Sequence, residues 1–373
     1  MFTKNIIKVS SKIGVYSIVI NNGALAAAPD SLSAIGLSNV DTSKIVAIVD
    51  SNTKKIGEEF LRALNVNLDQ LIEIEPGEQS KDLKTAEQLW QKLLSFGFGR
   101  KTIVAAIGGG VIGDIAGFAA GTFMRGVPLI QVPTTLLAQV DSSIGGKVGI
   151  DLEEGKNLVG LFYPPCGVIV DPLVLNTLRE TELKSGFVEI LKAALLTSKE
   201  FWQTLTVLPE ITATELAPYI FGALQVKAEV VTEDEFEVEG KRILLNLGHS
   251  IGHAIECGAD FKGITHGQAV AIGILLEQKI SADLNKHETN PELFDQILGV
   301  FSKFKLLPER LPSHFNFERA LVALRADKKA VAETIRLPVL LDIAAPQVVE
   351  VDKDALSRAL KLEALLSLLV LPA

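Results

Sequence analysis

His249, His253 and His266 are three of the chain's five histidines, and they fall within one short stretch. His249 and His253 stand at i, i+4, the spacing that puts two imidazoles on one face of a helix. Continued backwards on helical spacing, the same stripe collects Asn246 and Arg242. A stripe of Arg, Asn, His and His cannot pack as a hydrophobic face, but it can line an anionic pocket that holds a metal ion. Gly248 sets the helix start near His249, so Arg242 and Asn246 can instead approach from a preceding strand or loop. A catalytic zinc with an open position takes three protein ligands, and Glu189 is the candidate for the third. It sits in the mostly apolar helical stretch Gly186–Lys192, where a carboxylate requires a partner. Lys192 at i+3 offers a plainer alternative, a structural ion pair. His287 and His314 have no such company and read as ordinary.

Glycines mark a second group. Gly108-Gly109-Gly110 follows an apolar run and leads through Gly113-Asp114 into Gly117. Glycine lets a backbone approach a pyrophosphate, and amides at a helix start favour anions; close helix–sheet packing would select glycine as well. Asp50 closes an apolar strand pattern, where an acid can hold a ribose hydroxyl or merely shape a turn. Pro76–Lys81 is a polar loop, equally ambiguous alone. Lys147 follows Gly145-Gly146, Lys156-Asn157 lies in a glycine-flanked loop, and Lys328-Lys329 follows Asp327. A single lysine is usually a solvated charge. Several in glycine-rich loops beside a metal read as a site for phosphate and carboxylate.

The elements that must position these groups alternate in the first half. Lys44–Asp50, Thr102–Ile107, Leu129–Val132 and Val168–Val170 read as buried strands separated by helical stretches, which predicts a mostly parallel sheet with helices on it. Polar or glycine-rich residues follow each strand, where open α/β sheets bind ligands. Beyond Thr181 the pattern turns helical over Glu182–Lys199, Glu215–Glu233, His249–Cys257, His266–Leu284, Pro291–Phe304 and Phe317–Arg325. The expectation is an α/β domain over 1–178 and an all-α domain over 179–373.

A chain of 373 residues suits two cores of this kind. The net charge of −9 argues against a nucleic-acid backbone or an anionic membrane as partner, while local basic clusters still admit a small anion. Cys166 and Cys257 are too few for a disulfide framework and read as thiols of a reducing compartment. The run Ile13–Ile20 is short and broken by Asn21-Asn22-Gly23, so two strands around a turn are expected there rather than a secretory leader. Ile103–Phe123 is interrupted by Asp114 and glycines, and Ala364–Leu371 is too short to span a bilayer. A cytoplasmic protein is expected.

The chain resembles the 3-dehydroquinate synthases in the stretches IGGGVIGDIAGFAAGTFMRGV, QVPTTLLAQVDSSIGGKVGID, EGKNLVGLFYPP, GFVEILKAAL, KAEVV, RILLNLGHSIGHAIE, HGQAVAIG and ADKK, in matching order and spacing. The resemblance implies an N-terminal NAD-binding α/β domain and a helical C-terminal domain for metal and substrate. It implies Glu189, His249 and His266 as ligands of Zn2+, with Co2+ as an alternative. It assigns NAD contacts to Asp50, Glu78, Lys81, Gly109, Gly110, Asp114, Thr134, Thr135, Lys147, Lys156 and Thr177. Catalytic roles fall to Asp141, Lys147, Lys192, Arg242, Asn246 and His253, and substrate contacts to Asn157, Lys227, Lys328 and Lys329. Arg125 resembles the arginine that reaches the neighbouring subunit's site in the family's homodimers. The implied reaction converts 3-deoxy-D-arabino-heptulosonate 7-phosphate to 3-dehydroquinate and phosphate. A related sugar phosphate cyclase, an NAD- and metal-dependent alcohol dehydrogenase and a non-catalytic binding module are the competing readings. The chain departs from the family pattern by an inserted residue between Lys227 and Arg242, by Phe236 where relatives commonly carry arginine, and by Asp151 in place of a common asparagine.

Overall fold

A computed structural model describes residues 5–152, 155–237, 240–284, 289–325, 330–331 and 334–359. Lys328, Lys329, His287 and the run Ala364–Leu371 lie outside the described residues. The chain forms two compact units. One comprises the residues up to Leu178 together with Leu216–Phe236; the other comprises Arg179–Glu215 and the residues from Glu237 onward.

In the first unit the strands are β1 (Ile6–Ser11), β2 (Gly14–Ile20), β3 (Ile45–Asp50), β4 (Leu71–Ile74), β5 (Ile103–Gly108), β6 (Leu129–Pro133), β7 (Lys147–Leu152), β8 (Gly155–Phe162) and β9 (Gly167–Val170). Its helices are α1 (Ala28–Ala34), α2 (Lys54–Ala63), α3 (Leu83–Ser95) and α4 (Gly110–Thr122). Seven strands form one sheet in the order β1-β2-β9-β6-β5-β3-β4, parallel except where β1 turns back on β2. The period of two along buried parallel strands decides which core each residue joins. Ile45, Ala47 and Val49 pack with Phe60 and Leu61 of α2 on one face. Val46 and Ile48 pack with Leu89 of α3 and Ile112 of α4 on the other. Parallel pairing also aligns the carboxyl ends of β3, β5 and β6, which end in Asp50, Gly108 and Pro133.

β7 and β8 form a separate antiparallel hairpin. Lys147 and Lys156-Asn157, expected in loops, therefore sit on strands. Asn157 takes a left-handed φ of 55° within β8, which is why the segment does not read as a regular strand. The N-terminal pair β1–β2 turns at Lys12-Ile13, ahead of most of the apolar run, and Asn21-Asn22-Gly23, where that run breaks, follows β2 instead.

Helix α7 (Ala213–Glu233) contributes its residues from Leu216 to the first unit, so that unit is not contiguous in sequence. The last part of the helix and the turn after it cover the edge strand: Thr232 Oγ1 accepts from the Ser10 amide at 3.3 Å, and Glu235 accepts from the Lys12 amide at 2.7 Å. Phe236 packs edge-on against Phe162, 4.9 Å between ring centres, and carries the Lys12 ammonium 4.8 Å from its own. This is a local use for an aromatic residue at that position.

The second unit is mostly helical: α5 (Glu180–Thr197), α6 (Lys199–Thr206), α8 (His249–Gly258), α9 (His266–Leu284), α10 (Leu293–Lys303), α11 (Phe317–Arg325) and α12 (Lys353–Ala359). It is not purely α. β10 (Ala330–Val331), β11 (Thr334–Asp342) and β12 (Ala345–Asp352) form an antiparallel sheet in it. Among the described residues no helix is long and apolar enough to cross a membrane.

Glycine sets the closest helix crossing of this unit. A Cβ on Gly273 would run into the Gly248 carbonyl oxygen, and one on Gly248 would lie 2.6 Å from the Val270 oxygen. Gly252 meets Ala269 at the same crossing. By contrast, a Cβ on Gly299 in α10 meets nothing within 4 Å. Gly273→Ala is expected to cost roughly 2–3 kcal/mol or more through overpacking against backbone. Gly299→Ala is expected to stabilise by about 0.5–1 kcal/mol through helix propensity. Urea melts of both variants in chelator check the pair; an unperturbed Gly273→Ala would show that α8 and α9 have room to separate.

Candidate functional site

Glu189 lies midway along α5 with Phe187, Val188, Ile190 and Leu191 buried around it. It is 3% exposed, and neither carboxylate oxygen accepts a hydrogen bond of normal geometry. Burying a charge this deeply is costly unless cations surround it. Three approach. The Lys192 ammonium lies 2.5 Å from Oε2. His249 Nε2 and His266 Nε2 lie 3.7 and 3.6 Å from Oε1. Those two separations are long for hydrogen bonds. A tetrahedral ion with bonds of about 2.0–2.2 Å holds its donors roughly 3.3–3.5 Å apart, so the group fits a divalent cation better than it fits itself. The donor atoms of Glu189, His249 and His266 all lie within 4.8 Å of one another.

Local sequence explains how each member of this group is delivered. Gly248 takes φ 78°, which only glycine adopts freely, and α8 starts at His249 immediately after it. Arg242–Asn246 forms a short 3-10 helix before that turn, so the continuous stripe of four is broken there. Helix α9 begins with a reciprocal capping box: Thr265 Oγ1 accepts from the Gln268 amide, and Gln268 Oε1 accepts from the Thr265 amide. That places His266 in the first turn. Ser185 Oγ then accepts from the Gly267 amide at 2.9 Å, pinning α5 to the start of α9.

The charges are strongly coupled. Burial alone would raise the Glu189 pKa, but Lys192, His249 and His266 hold it well below the usual carboxylate range. Burial, reinforced by Lys192, pushes His249 well down and keeps it neutral. Burial also works against the charge on His266, but Glu256 and Glu189 outweigh it and raise its pKa to about 10.

His253 is exposed and close by, its ring centre 5.4 Å from that of His249 and 6.1 Å from that of His266. Lys192 also donates to the Leu245 carbonyl at 2.6 Å. Arg242 is buried, its Nε 3.9 Å from Glu237. Asn246 is half-buried. His314 bonds the Ala259 carbonyl, an ordinary structural role.

In the first unit a second charged group forms. Lys81, 3% exposed, lies 2.6 Å from Asp114 of α4 and donates to Asn157 Oδ1. Lys156 pairs with Glu78 at 3.3 Å, and Asp151 accepts from the Asn157 amide at 2.8 Å. Burial pushes Asp114 up to about 6 against the lowering effect of Lys81. Burial disfavours the Lys81 charge, yet Asp114 and Glu78 hold its pKa above the ordinary value. Gly109 precedes α4, whose first amides carry no side-chain cap. A Cβ on Gly109 would meet Thr135 at 3.0 Å and one on Gly110 would meet Ser142 at 3.3 Å, so these glycines keep a shallow cradle open. Uncapped helix-start amides in such a cradle suit a pyrophosphate.

Other sequence candidates have local partners. Asp50 accepts from the Thr53 amide and hydroxyl, the turn-forming alternative. Thr135 caps the Ala138 amide, Thr134 is buried, and Thr177 bonds its own turn. Lys227 donates to Asp141 at both its carbonyl and its carboxylate, 2.7 and 2.5 Å. Lys147 is exposed at the start of β7. Arg125 is exposed in a turn where both it and Met124 take left-handed φ, 67° and 51°.

Sequence reasoning missed Glu256. Its carboxylate lies 3.3 Å from His266 Nδ1, and with His253 and His266 it forms a second, more exposed group of metal-capable donors. The signal was its position three residues after His253 and seven after His249 on the same helix.

The chain matches the 3-dehydroquinate synthase N-terminal family over residues 71–185 and the C-terminal family over 186–330. A 3-dehydroquinate synthase of Lactococcus lactis subsp. cremoris (strain MG1363) is 37% identical over 356 residues, 93% of this chain and 97% of its own. One of Clostridium beijerinckii (strain ATCC 51743 / NCIMB 8052) is 42% identical over 276 residues, 74% of this chain and 77% of its own. Among solved structures, a 2-epi-5-epi-valiolone synthase from Streptomyces hygroscopicus subsp. jinggangensis 5008 with NAD+ and Zn2+ bound aligns with a TM-score of 0.78 at 26% identity, covering 97% of this chain and 98% of that one.

Glu189→Ala, His249→Ala and His266→Ala are each expected to lose the divalent ion together with turnover, because three protein ligands leave none to spare. His253→Ala is expected to keep the ion and lose most turnover. Metal analysis of the purified variants checks both. Full retention by Glu189→Ala would leave only its ion pair with Lys192.

Proposed function

The chain belongs to the 3-dehydroquinate synthase family, and from that membership we propose how its own residues carry out the reaction. The enzyme is a lyase that converts 3-deoxy-D-arabino-heptulosonate 7-phosphate to 3-dehydroquinate and phosphate. The observation that carries the mechanism is the buried Glu189 carboxylate facing two imidazole nitrogens at 3.6 and 3.7 Å. When bound, NAD would supply a reversible hydride transfer from a substrate carbon, and a divalent ion would polarise the hydroxyl oxygen on that carbon so that its proton leaves.

Glu189, His249 and His266 hold that ion, which we take to be Zn2+ with Co2+ as a substitute. A set of two nitrogens and one oxygen suits zinc and leaves a position for substrate. The residues up to Leu178 form the NAD-binding part and the residues from Arg179 the metal- and substrate-binding part. The cradle at Gly109 and Gly110 takes the pyrophosphate, with Asp50, Glu78, Lys81, Asp114, Thr134, Thr135, Lys147, Lys156 and Thr177 as the surrounding contacts. Arg242, Asn246, Lys192, Lys227 and Asn157 orient the substrate's carboxylate, hydroxyl and phosphate groups. Lys328 and Lys329 extend that set. Asp141, held by Lys227, fixes the position of the Lys227 ammonium. His253 carries a proton at the exposed side of the ligand group. The basic residues neutralise phosphate as it leaves, and the remaining steps return the hydride and close the ring on one retained intermediate.

We further propose a cytoplasmic homodimer. The unpaired thiols Cys166 and Cys257 fit a reducing compartment. The left-handed turn at Met124-Arg125 holds Arg125 out from its own subunit, which suits a contact with the neighbour.

The reaction so assigned is redox-neutral. One inorganic phosphate is expected per substrate consumed, with catalytic NAD supporting many turnovers and NADH staying at or below roughly the enzyme concentration. A dehydrogenase would instead accumulate NADH in step with substrate loss and leave the phosphate ester intact. Absorbance of NADH followed alongside phosphate release decides between them. For the dimer, inactive Arg125→Ala and Lys147→Ala subunits are expected to regain partial activity when mixed, since each hybrid contains a site with both residues intact. No recovery after verified subunit exchange would confine Arg125 to its own subunit.

A further inference from the structure

We infer that Glu256 is a positioning residue for the metal: its carboxylate holds His266 in the tautomer and ring orientation that turn Nε2 toward Glu189. The inference rests on the reading of Glu189, His249 and His266 as the ion's ligands. An imidazole presents a lone pair at one nitrogen only when the other keeps its proton, and the acceptor at that other nitrogen decides which. His249 has such an acceptor in the Leu247 carbonyl, 3.1 Å from Nδ1. Among the described residues, the group facing Nδ1 of His266 is not a backbone carbonyl but Glu256 Oε1, 3.3 Å away. Both Nε2 atoms then converge on the same carboxylate oxygen.

The third ligand has the matching device. Lys192 lies against Oε2 of Glu189, which leaves Oε1 for the ion. Each ligand therefore has one atom engaged away from the ion and one turned toward it. Glu256 can play this part because α8 carries it two turns beyond His249, past His253, on the side that meets the start of α9. Its side chain is 15% exposed, shielded enough for its charge to be felt and open enough not to be core packing.

Glu256 could instead be a ligand itself, since His253, Glu256 and His266 form the second donor group. Burial argues against that: Glu189 and His249 are buried, whereas His253 is exposed. An ion held by the second group would also have to bind His266 through Nδ1, leaving Nε2 aimed at Glu189.

The test is Co2+ affinity by chelator competition, with the visible absorption of bound Co2+ as a coordination signature. Glu256→Ala is expected to weaken Co2+ binding by about 10–100-fold, the usual cost of losing a partner behind a ligand. Its melting temperature in chelator should stay at the parent value. Glu256→Gln keeps an oxygen acceptor for Nδ1–H and is expected to restore most of the affinity and the parent spectrum. Glu189→Ala and His249→Ala serve as reference arms and lose Co2+ outright. If those two lose Co2+ while Glu256→Ala binds within about twofold of the parent, the positioning role is wrong and the ligand reading stands. Equal loss in the Ala and Gln variants with a lowered melting temperature would make Glu256 structural and overturn the inference. Retention of Co2+ by Glu189→Ala and His249→Ala, with loss in Glu256→Ala and His253→Ala, would move the ion to the second group and overturn both.

Discussion

A carboxylate buried among Phe187, Val188, Ile190 and Leu191 is an unfavourable thing to build into a helix, and the second unit is arranged around it. The charge cannot be hydrated, so cations must come to it, and they must come close. Lys192 arrives from the same helix at i+3. The imidazoles arrive from α8 and α9, and those helices can meet only because Gly248, Gly252 and Gly273 bring backbone against backbone. Remove that proximity and Glu189 keeps only Lys192 as a partner. The glycines, the Thr265–Gln268 capping box and the Ser185–Gly267 bond are thus parts of one electrostatic requirement.

The first unit meets a milder version of the same problem. Lys81 is buried as deeply as Glu189, and its charge is answered by Asp114 on one side and the Asn157 amide oxygen on another. Here the two opposite charges nearly answer each other, and Asp114 retains a raised pKa because its own burial is not fully offset. The two units therefore handle charge differently. One pairs a buried lysine with an acid and an amide, and the other gathers an ammonium and two imidazoles around a buried carboxylate.

Much of this was legible in the sequence, for reasons that differ by element. The buried strands β3, β5, β6 and β9 announce themselves as continuous apolar runs ending in polar or glycine residues, and the helices of the second half by their periodicity. The spacing of His249 and His253 drew attention to their helix, the apolar surround of Glu189 singled out that carboxylate, and family resemblance put His266 rather than His253 beside them; the three donor atoms do lie together. The hairpin β7–β8 was hidden because its glycines and the left-handed Asn157 look like a loop. β11 was hidden by Pro338, which reads against a strand; it falls past the end of the two-residue β10 pairing, where the ladder demands less of it. Leu216–Phe236 was assigned by position to the second half, since nothing local in a helix says which body it packs on. Glu256 was overlooked because a lone glutamate on a helix is ordinarily a solvated charge. Only the arrival of His266 from a different helix gives it a task.

The covering of β1 by the end of α7 has a consequence for how the chain is made. A nascent polypeptide that has emerged only as far as Leu178 already contains every strand of the seven-stranded sheet. Its outer strand would still lack the groups that accept from the Ser10 and Lys12 amides, because Thr232 and Glu235 come later. An uncovered edge is a template for pairing with another chain. Those two amides stay without these acceptors from the synthesis of β9 until Thr232 and Glu235 have left the ribosome. Slow translation through that interval would lengthen the exposure, and a chain truncated within it would carry a complete sheet with a permanently open edge.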